Sequence, residues 1–135
     1  MSNWQIKSNS SFEAANNLID HKLFNPSIHS CYYGCVQYVY YIFEDYFGHD
    51  IKDIEGGSRL VARNLSNHIW LRQEIFKSLK TKDKKAAVNF QNIMGQLCNK
   101  RVLADYHYEI CEIEDANNSK KTAQVIMDVL KAFYI

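Results

Sequence analysis

The chain has 135 residues and a formal net charge of +1, and 47% of its residues are hydrophobic and 23% are charged. This length and composition predict a single globular domain, residues 1–135, that is large enough to bury a core. The small net charge argues against capture of nucleic acid by the whole surface, so a polyanion would have to bind at a local site.

The sequence also lacks the marks of a membrane protein and of a zinc finger. No apolar run approaches the roughly 18 residues of a membrane span, and the start Met-Ser-Asn-Trp-Gln lacks the regions of a signal peptide. We therefore expect a cytoplasmic protein without a membrane partner. The 4 cysteines include no Cys-x-x-Cys pair and no histidine at zinc-finger spacing. We expect no metal and no cofactor, and the following cysteines should be small buried hydrophobes in a reducing compartment: Cys31, Cys35, Cys98 and Cys111.

The apolar residues recur with a helical period almost throughout, and only 1 proline and 5 glycines interrupt it. This pattern predicts an all-α fold. A first helix should begin at Ser10, which forms a capping-box pattern with Glu13, and should end near Asn25. Its predicted buried residues are Phe12, Ala15, Leu18, Ile19 and Leu23.

A second helix is predicted from Asn25, as the N-cap, to about Gly48, with Pro26 at the first helical position. One broad stripe of this helix should be buried, and Gly34 should lie on the opposite, polar side. The stripe consists of Ile28, Cys31, Tyr32, Cys35, Val36, Tyr38, Val39, Ile42, Phe43 and Tyr46. Further aromatic residues on the flanks favour two interpretations equally: a tyrosine-rich core helix, or a helix covered by the core and by a partner subunit.

Residues Gly48 to Arg63 should form a loop, and a third helix should follow from about Asn64 to Leu79. Its predicted inner side consists of Leu65, Ile69, Arg72, Ile75, Phe76 and Leu79. The lysine-rich stretch from Lys80 to Lys85 indicates a solvated turn, with steering of a polyanion as the alternative.

A fourth helix is predicted from Asp83 to near Ala104, followed by a polar, turn-like stretch from Glu112 to Ser119 and a last helix. The inner side of the fourth helix should comprise Ala86, Phe90, Ile93, Leu97 and Ala104, and that of the last helix Thr122, Ile126, Val129, Leu130 and Phe133. Amphipathic helices joined by short links predict an up-and-down bundle of four to five helices.

Arg101 and His107 near the end of the fourth helix are the main candidates for chemistry. Arginine can hold a phosphate with two donors, and histidine can move a proton near neutral pH. In a continuous helix, however, the two would lie about 120° apart around the axis and about 9 Å apart along it, while Asp105 and Tyr108 would share the face of Arg101. His107 could approach Arg101 if the helix ended near Asp105 and the chain folded back, or if a partner subunit supplied the histidine. A simple ion pair between Arg101 and Asp105 explains the local sequence equally well.

Four pieces of the chain, in order, resemble the HEPN domains of prokaryotes. The stretch from Asn25 to Phe47 resembles their long aromatic helix, with Ser30-Cys31-Tyr32-Tyr33-Gly34 in place of a Ser-Ala-Tyr-Tyr-like run. Asn67-His68 with Phe76 resembles their segment of a histidine followed by a phenylalanine. The run from Arg101 to Tyr106 matches the Arg-x-x-Ala-Asp-Tyr variant of their hallmark, His107 completes an Arg-x(4–6)-His pattern, and one more amphipathic helix closes the chain.

The resemblance implies a small helical bundle that forms a homodimer, with the arginine and histidine of both subunits at one groove. Active members are metal-independent endoribonucleases, and many are toxins or phage-defence effectors. Carried over, Arg101 would bind the scissile phosphate and His107 would act as general acid or base. A small nucleotidyltransferase is a common partner and antitoxin, and in some pairs it adenylylates a tyrosine, for which Tyr106 and Tyr108 are the candidates.

Other residues in this region could take part in binding. Asp105 lies on the predicted face of Arg101, and His68 either lines the same groove or caps a helix. Active ribonucleases of this family carry a polar residue at the position of Val102. This difference and the small net charge both favour a second hypothesis. In that hypothesis the chain is a non-catalytic module that binds a nucleotide or docks a nucleotidyltransferase.

Overall fold

The computed structural model describes residues 1–48 and 67–134. In these two ranges the chain forms five α-helices and no β-strand, which confirms the predicted all-α class. The helices are α1 (Asn3–Asp20), α2 (Phe24–Tyr41), α3 (Asn67–Lys82), α4 (Lys84–Tyr106) and α5 (Ile113–Phe133). The loop predicted after Gly48 and the predicted core residue Leu65 lie outside the described residues. No helix in those ranges has both the length and the apolar character that crossing a membrane requires.

Helix α2 lies at the centre of the bundle, where it packs against α1, α4 and α5, while α3 packs mainly against α4. Three pairs of consecutive helices contact each other across short links, as in an up-and-down bundle: α1 with α2, α3 with α4, and α4 with α5. The predicted stripe of α2 is buried from Ile28 to Phe43, which confirms the helical period, whereas Tyr46 at its end is 47% exposed. Leu71, Phe90 and Leu130 from the other helices complete the core around this stripe.

The side of α2 that was predicted to be polar is buried at Gly34, where α1 approaches it closely. A β-carbon at Gly34 would lie only 2.6 Å from Cζ of Phe12. At the same place the Ser8 hydroxyl donates a hydrogen bond of 2.7 Å to the Gly34 carbonyl. The prediction of a polar face was therefore wrong at Gly34, since a glycine without a side chain lets two helices touch. At Gly34, α2 is therefore covered by α1 of the same chain.

Helix α2 continues as a π-helical turn over Ile42–Tyr46, in which the Phe47 N–H donates to the Ile42 carbonyl at 3.0 Å. Gly48 follows with a φ of 75°, a left-handed conformation that glycine adopts without steric cost. The helical path thus ends close to the predicted position.

The predicted start of the first helix was wrong, because α1 begins at Asn3 and not at Ser10. Ser2 is the N-cap: its hydroxyl accepts from the Gln5 N–H at 3.2 Å, and the Gln5 side chain accepts from the Ser2 N–H at 2.9 Å. Trp4 fixes this first turn by stacking on Tyr40, with ring centroids 4.6 Å apart. The predicted burial of Leu23 was also wrong, since it caps α2 and is 50% exposed.

Two further predicted boundaries were wrong. Helix α2 begins at Phe24 with Leu23 as N-cap, so Asn25 is not the cap and Pro26 lies at the third helical position. The polar stretch predicted as a turn instead forms the first two turns of α5, with Glu112 as N-cap. It is helical because its inner positions carry small residues, Ala116 and Ser119, which are buried although the local sequence is not apolar.

The boundary between α3 and α4 was predicted closely. Helix α3 ends at Lys82, and Asp83 caps α4 by accepting a hydrogen bond of 3.1 Å from the Ala86 N–H. Every residue from Lys80 to Lys85 is exposed, as expected for a solvated connection. The predicted inner sides are confirmed at Ile75, Leu79, Phe90, Leu97 and Ala104. At four other predicted positions the buried residue is a direct neighbour in the chain: Trp70 and Leu71 in α3, and Ala87 and Met94 in α4. The cysteines are free, with Cys31 and Cys35 buried and the others half-buried.

Candidate functional site around Arg101

Arg101 lies in the penultimate turn of α4, and its side chain is only 12% exposed. Three tyrosine rings surround its guanidinium: the central carbon lies 5.0 Å from the ring centroid of Tyr32 and 5.8 Å from those of Tyr33 and Tyr106. At these distances the ring faces attract the cation, and they also exclude water from it. The resulting group is a cation held in a mostly aromatic surrounding.

The charge of Arg101 is weakly compensated within the described residues. Its ion pair there is to Asp105, at 3.9 Å between Nη1 and Oδ2, which is long for a charge-assisted hydrogen bond. Its Nε is buried and has no hydrogen-bond partner in the same part of the chain. Burial opposes the charged form, but the neighbouring Cys98 thiol and the Tyr33 and Tyr32 hydroxyls together raise the pKa of Arg101. The guanidinium is therefore a permanent cation.

The Asp105 carboxylate is shared with a histidine from α2. His29 Nδ1 lies 2.6 Å from Oδ2 of Asp105, the same oxygen that faces Arg101. Since a carboxylate only accepts, Nδ1 must carry the proton, and Nε2 is left available for proton transfer. The His29 ring also contacts Tyr33, with centroids 4.5 Å apart, and its side chain is 48% exposed. The arrangement is a histidine oriented by a carboxylate and open to solvent.

His68, at the start of α3, packs against Tyr32 and Tyr33. Its ring centroid is 5.8 Å from that of Tyr32 and 5.5 Å from that of Tyr33. Burial and the nearby charge of Arg101 lower the pKa of His68, so the ring is neutral near pH 7. The structure thus brings His68, Asp105 and Tyr106 close to Arg101. Of these three, Asp105 was expected on the face of Arg101, while the sequence left His68 between this groove and a helix cap.

The structure does not bring His107 or Tyr108 to Arg101. Helix α4 ends at Tyr106, and His107 caps it in an extended conformation, with its N–H donating to the Leu103 carbonyl at 3.3 Å. The side chain of His107 is exposed and makes no hydrogen bond or ion pair with the described residues. Tyr108 is fully exposed, so the expectation that it shares the face of Arg101 was wrong, because it assumed a continuous helix.

Asn25 holds the segment that follows Arg101. Its side-chain amide donates to the carbonyls of Ala104 at 3.0 Å and Glu109 at 3.1 Å, and its oxygen accepts from the Cys111 N–H at 2.9 Å. This clamp joins the start of α2 to the link between α4 and α5. It ties residues 109–111 back to the last turn of α4, while the His107 side chain within this link stays exposed.

The sequence reasoning missed His29 and Tyr33 as site residues. They are four residues apart on the flank of α2, just as Arg101 and Asp105 are four apart on α4. Each spacing places two polar groups on one face of a helix, next to a predicted apolar stripe. These two polar pairs could have indicated that α2 and α4 contribute to one site. The sequence does not specify, however, which turn of α2 lies against which turn of α4.

Among the described residues, no group of three or more histidine, cysteine, aspartate or glutamate side chains could hold a metal ion. Searches against models of protein families, against curated proteins and against solved structures find nothing that matches this chain.

Proposed function

We propose that this chain is a metal-independent endoribonuclease of the HEPN type, acting as a toxin or defence effector, with Arg101 as the residue that binds the scissile phosphate. The observation that carries the proposal is the state of Arg101: a permanent cation with one long ion pair to Asp105, which also binds His29, and with His68 close enough to feel its charge. A guanidinium in a surrounding that excludes water attracts a phosphate more strongly than one in bulk water. It would also stabilise the extra negative charge that the non-bridging phosphate oxygens carry in the transition state.

The reaction class follows from the chemistry of the neighbours. Imidazole groups can take a proton from a ribose 2′-hydroxyl and give one to a departing 5′-oxygen, and the product is then a 2′,3′-cyclic phosphate. The sequence pattern nominates His107 for this step, supplied by the second subunit of a homodimer. The role of Arg101 is the same whichever histidine moves the proton.

The test is incubation of the purified protein with a long labelled RNA in excess EDTA, followed by analysis of the new ends. We expect cleavage with 2′,3′-cyclic phosphate ends, and no cleavage at a position where the ribose is replaced by 2′-deoxyribose. An intact-mass spectrum of the same sample would detect an adenylyl group on Tyr106 or Tyr108, which would indicate a nucleotidyltransferase partner. Unmodified protein that leaves the RNA intact would refute the proposal.

A second candidate function is a non-catalytic module that binds a nucleotide or docks a nucleotidyltransferase. The observation that favours it is the exposed apolar segment after Arg101, in which Tyr106 is 74%, Tyr108 103% and Ile110 88% exposed. Exposed apolar groups so close together are typical of an interaction surface. This function predicts ATP binding that depends on Arg101, without cleavage of RNA, in a calorimetric titration in EDTA.

A further inference from the structure

His29 has the geometry of a general acid. Its Nδ1 proton is held by the Asp105 carboxylate, which orients the ring. The same carboxylate oxygen lies 3.9 Å from Nη1 of Arg101, so a phosphate bound to Arg101 would lie close to the His29 ring. The half-exposed ring leaves Nε2 accessible to a departing oxygen.

His68 has the properties of a general base. It is half-buried, and its ring makes no hydrogen bond within the described ranges. Its charged form is disfavoured by burial and by Arg101, which lower its pKa. The rings of His29 and His68 both contact Tyr33, one at 4.5 Å and one at 5.5 Å, so the two imidazoles flank one tyrosine beside Arg101.

We infer that His68 and His29, and not His107, are the base and the acid of the cleavage reaction, and that both come from the same chain as Arg101. This inference rests on the proposed ribonuclease function. His68 takes the proton of the 2′-hydroxyl as the 2′-oxygen forms a bond to phosphorus. The bond between phosphorus and the 5′-oxygen breaks, and the 5′-oxygen takes a proton from protonated His29. Water returns both histidines to their starting states.

The groups that face the two histidines fit these roles. His29 faces the Asp105 carboxylate and the Tyr33 ring, with Arg101 behind the carboxylate. His68 faces Arg101 and the rings of Tyr32 and Tyr33, and no carboxylate of the described residues pairs with it. Two imidazoles in such different surroundings can take different roles, one as general acid and the other as general base. Asp105 acts through His29 and is therefore a positioning residue.

The test compares two RNA substrates, one with the natural 5′-oxygen and one with a bridging sulfur in its place at the cleaved bond. A thiolate leaves without a proton, so the sulfur substrate does not need a general acid. We expect His29→Ala to slow cleavage of the oxygen substrate by about 100-fold or more, the usual contribution of a general acid. The same variant should cleave the sulfur substrate at nearly the wild-type rate, and Asp105→Asn should show the same selectivity to a smaller degree.

His68→Gln should slow cleavage of both substrates by about 100-fold, because attack of the 2′-oxygen still needs a base. His21→Ala is the matched control: His21 is exposed at the end of α1 and contacts only its own helix, so both rates should stay at wild type. Thermal unfolding of each variant checks the fold, and His29→Gln replaces His29→Ala if the latter unfolds.

Three outcomes would overturn the inference. If Arg101→Ala abolishes cleavage while the His29 and His68 variants cut at the wild-type rate, the inference fails and the proposed ribonuclease stands. If His107→Ala cleaves the oxygen substrate slowly but the sulfur substrate at nearly the wild-type rate, as expected of His29→Ala, then His107 is the acid. If the wild type cuts neither substrate, the proposed function fails and the inference fails with it.

Discussion

The close contact between α1 and α2 makes a prediction that can be worked out from one distance. In Gly34→Ala the new β-carbon would lie 2.6 Å from Cζ of Phe12, far inside van der Waals contact. Overpacking of a core costs about 1–3 kcal/mol, whereas exchanging glycine for alanine in a helix returns about 1 kcal/mol. At so short a distance the clash should dominate, and we expect a net loss of about 1 to 2 kcal/mol in the free energy of unfolding.

Urea denaturation of Gly34→Ala measures this loss, and α4 offers a matched control. A β-carbon at Gly95 would meet only Nη1 of Arg72, at 3.9 Å, so Gly95→Ala should gain up to about 1 kcal/mol from helix propensity alone. Phe12→Leu should relieve part of the clash, so the double variant should lose less than the sum of the two single variants. If Gly34→Ala is as stable as Gly95→Ala, the glycine is not required for the contact and the reasoning is refuted.

Three other predictions concern the frame of the site. Asn25→Ala removes three hydrogen bonds that hold residues 104–111, and it should lower the free energy of unfolding in urea by about 1–3 kcal/mol. It should also speed hydrogen exchange at the Cys111 amide. Unchanged exchange would contradict the clamp. Asp83→Ala removes the N-cap of α4 and should cost about 1 kcal/mol, while Asp83→Asn should retain most of the stability, and equal losses would argue against a cap. The pKa of His68 is lower in the folded chain than in the unfolded chain, where it is about 6.5. The stability that neutral His68 contributes is therefore fully present above that unfolded pKa, and it is lost as the pH falls through the folded pKa. The wild type should therefore lose more stability than His68→Gln between pH 7 and pH 5, and parallel curves would show that His68 is not buried as described.

The fold was predicted well where burial follows the helical period. The stripe of α2 from Ile28 to Phe43 was assigned correctly. Its apolar residues recur on one face of the helix, and the other helices must cover that face. The prediction failed where side-chain size decided burial, as at Gly34 and at Ala116 in α5, since neither residue carries a strong hydrophobic signal. Capping patterns were ambiguous: both Ser2 and Ser10 fit the motif, and the contact of Trp4 with α2 decided between them.

The site was predicted in part for a related reason. Arg101 and Asp105 form the expected pair because residues four apart in a helix meet whatever the tertiary structure is. His29 lies 76 residues away from Asp105 in the chain, so their contact depends on the register of α2 against α4, which local spacing does not specify. His107 was separated from Arg101 because α4 ends at Tyr106 and Asn25 holds the following link.

The most direct test of the central claim is the rate of RNA cleavage in EDTA by wild type, Arg101→Ala and Arg101→Lys. Lys100→Gln is the control, because Lys100 also carries a charge on α4 but its described ion pair is with Asp115 of α5. If Arg101 binds the scissile phosphate, Arg101→Ala should lower the rate by about 100-fold or more, Arg101→Lys should retain part of it, and Lys100→Gln should leave it unchanged. A wild-type rate in Arg101→Ala would contradict the account.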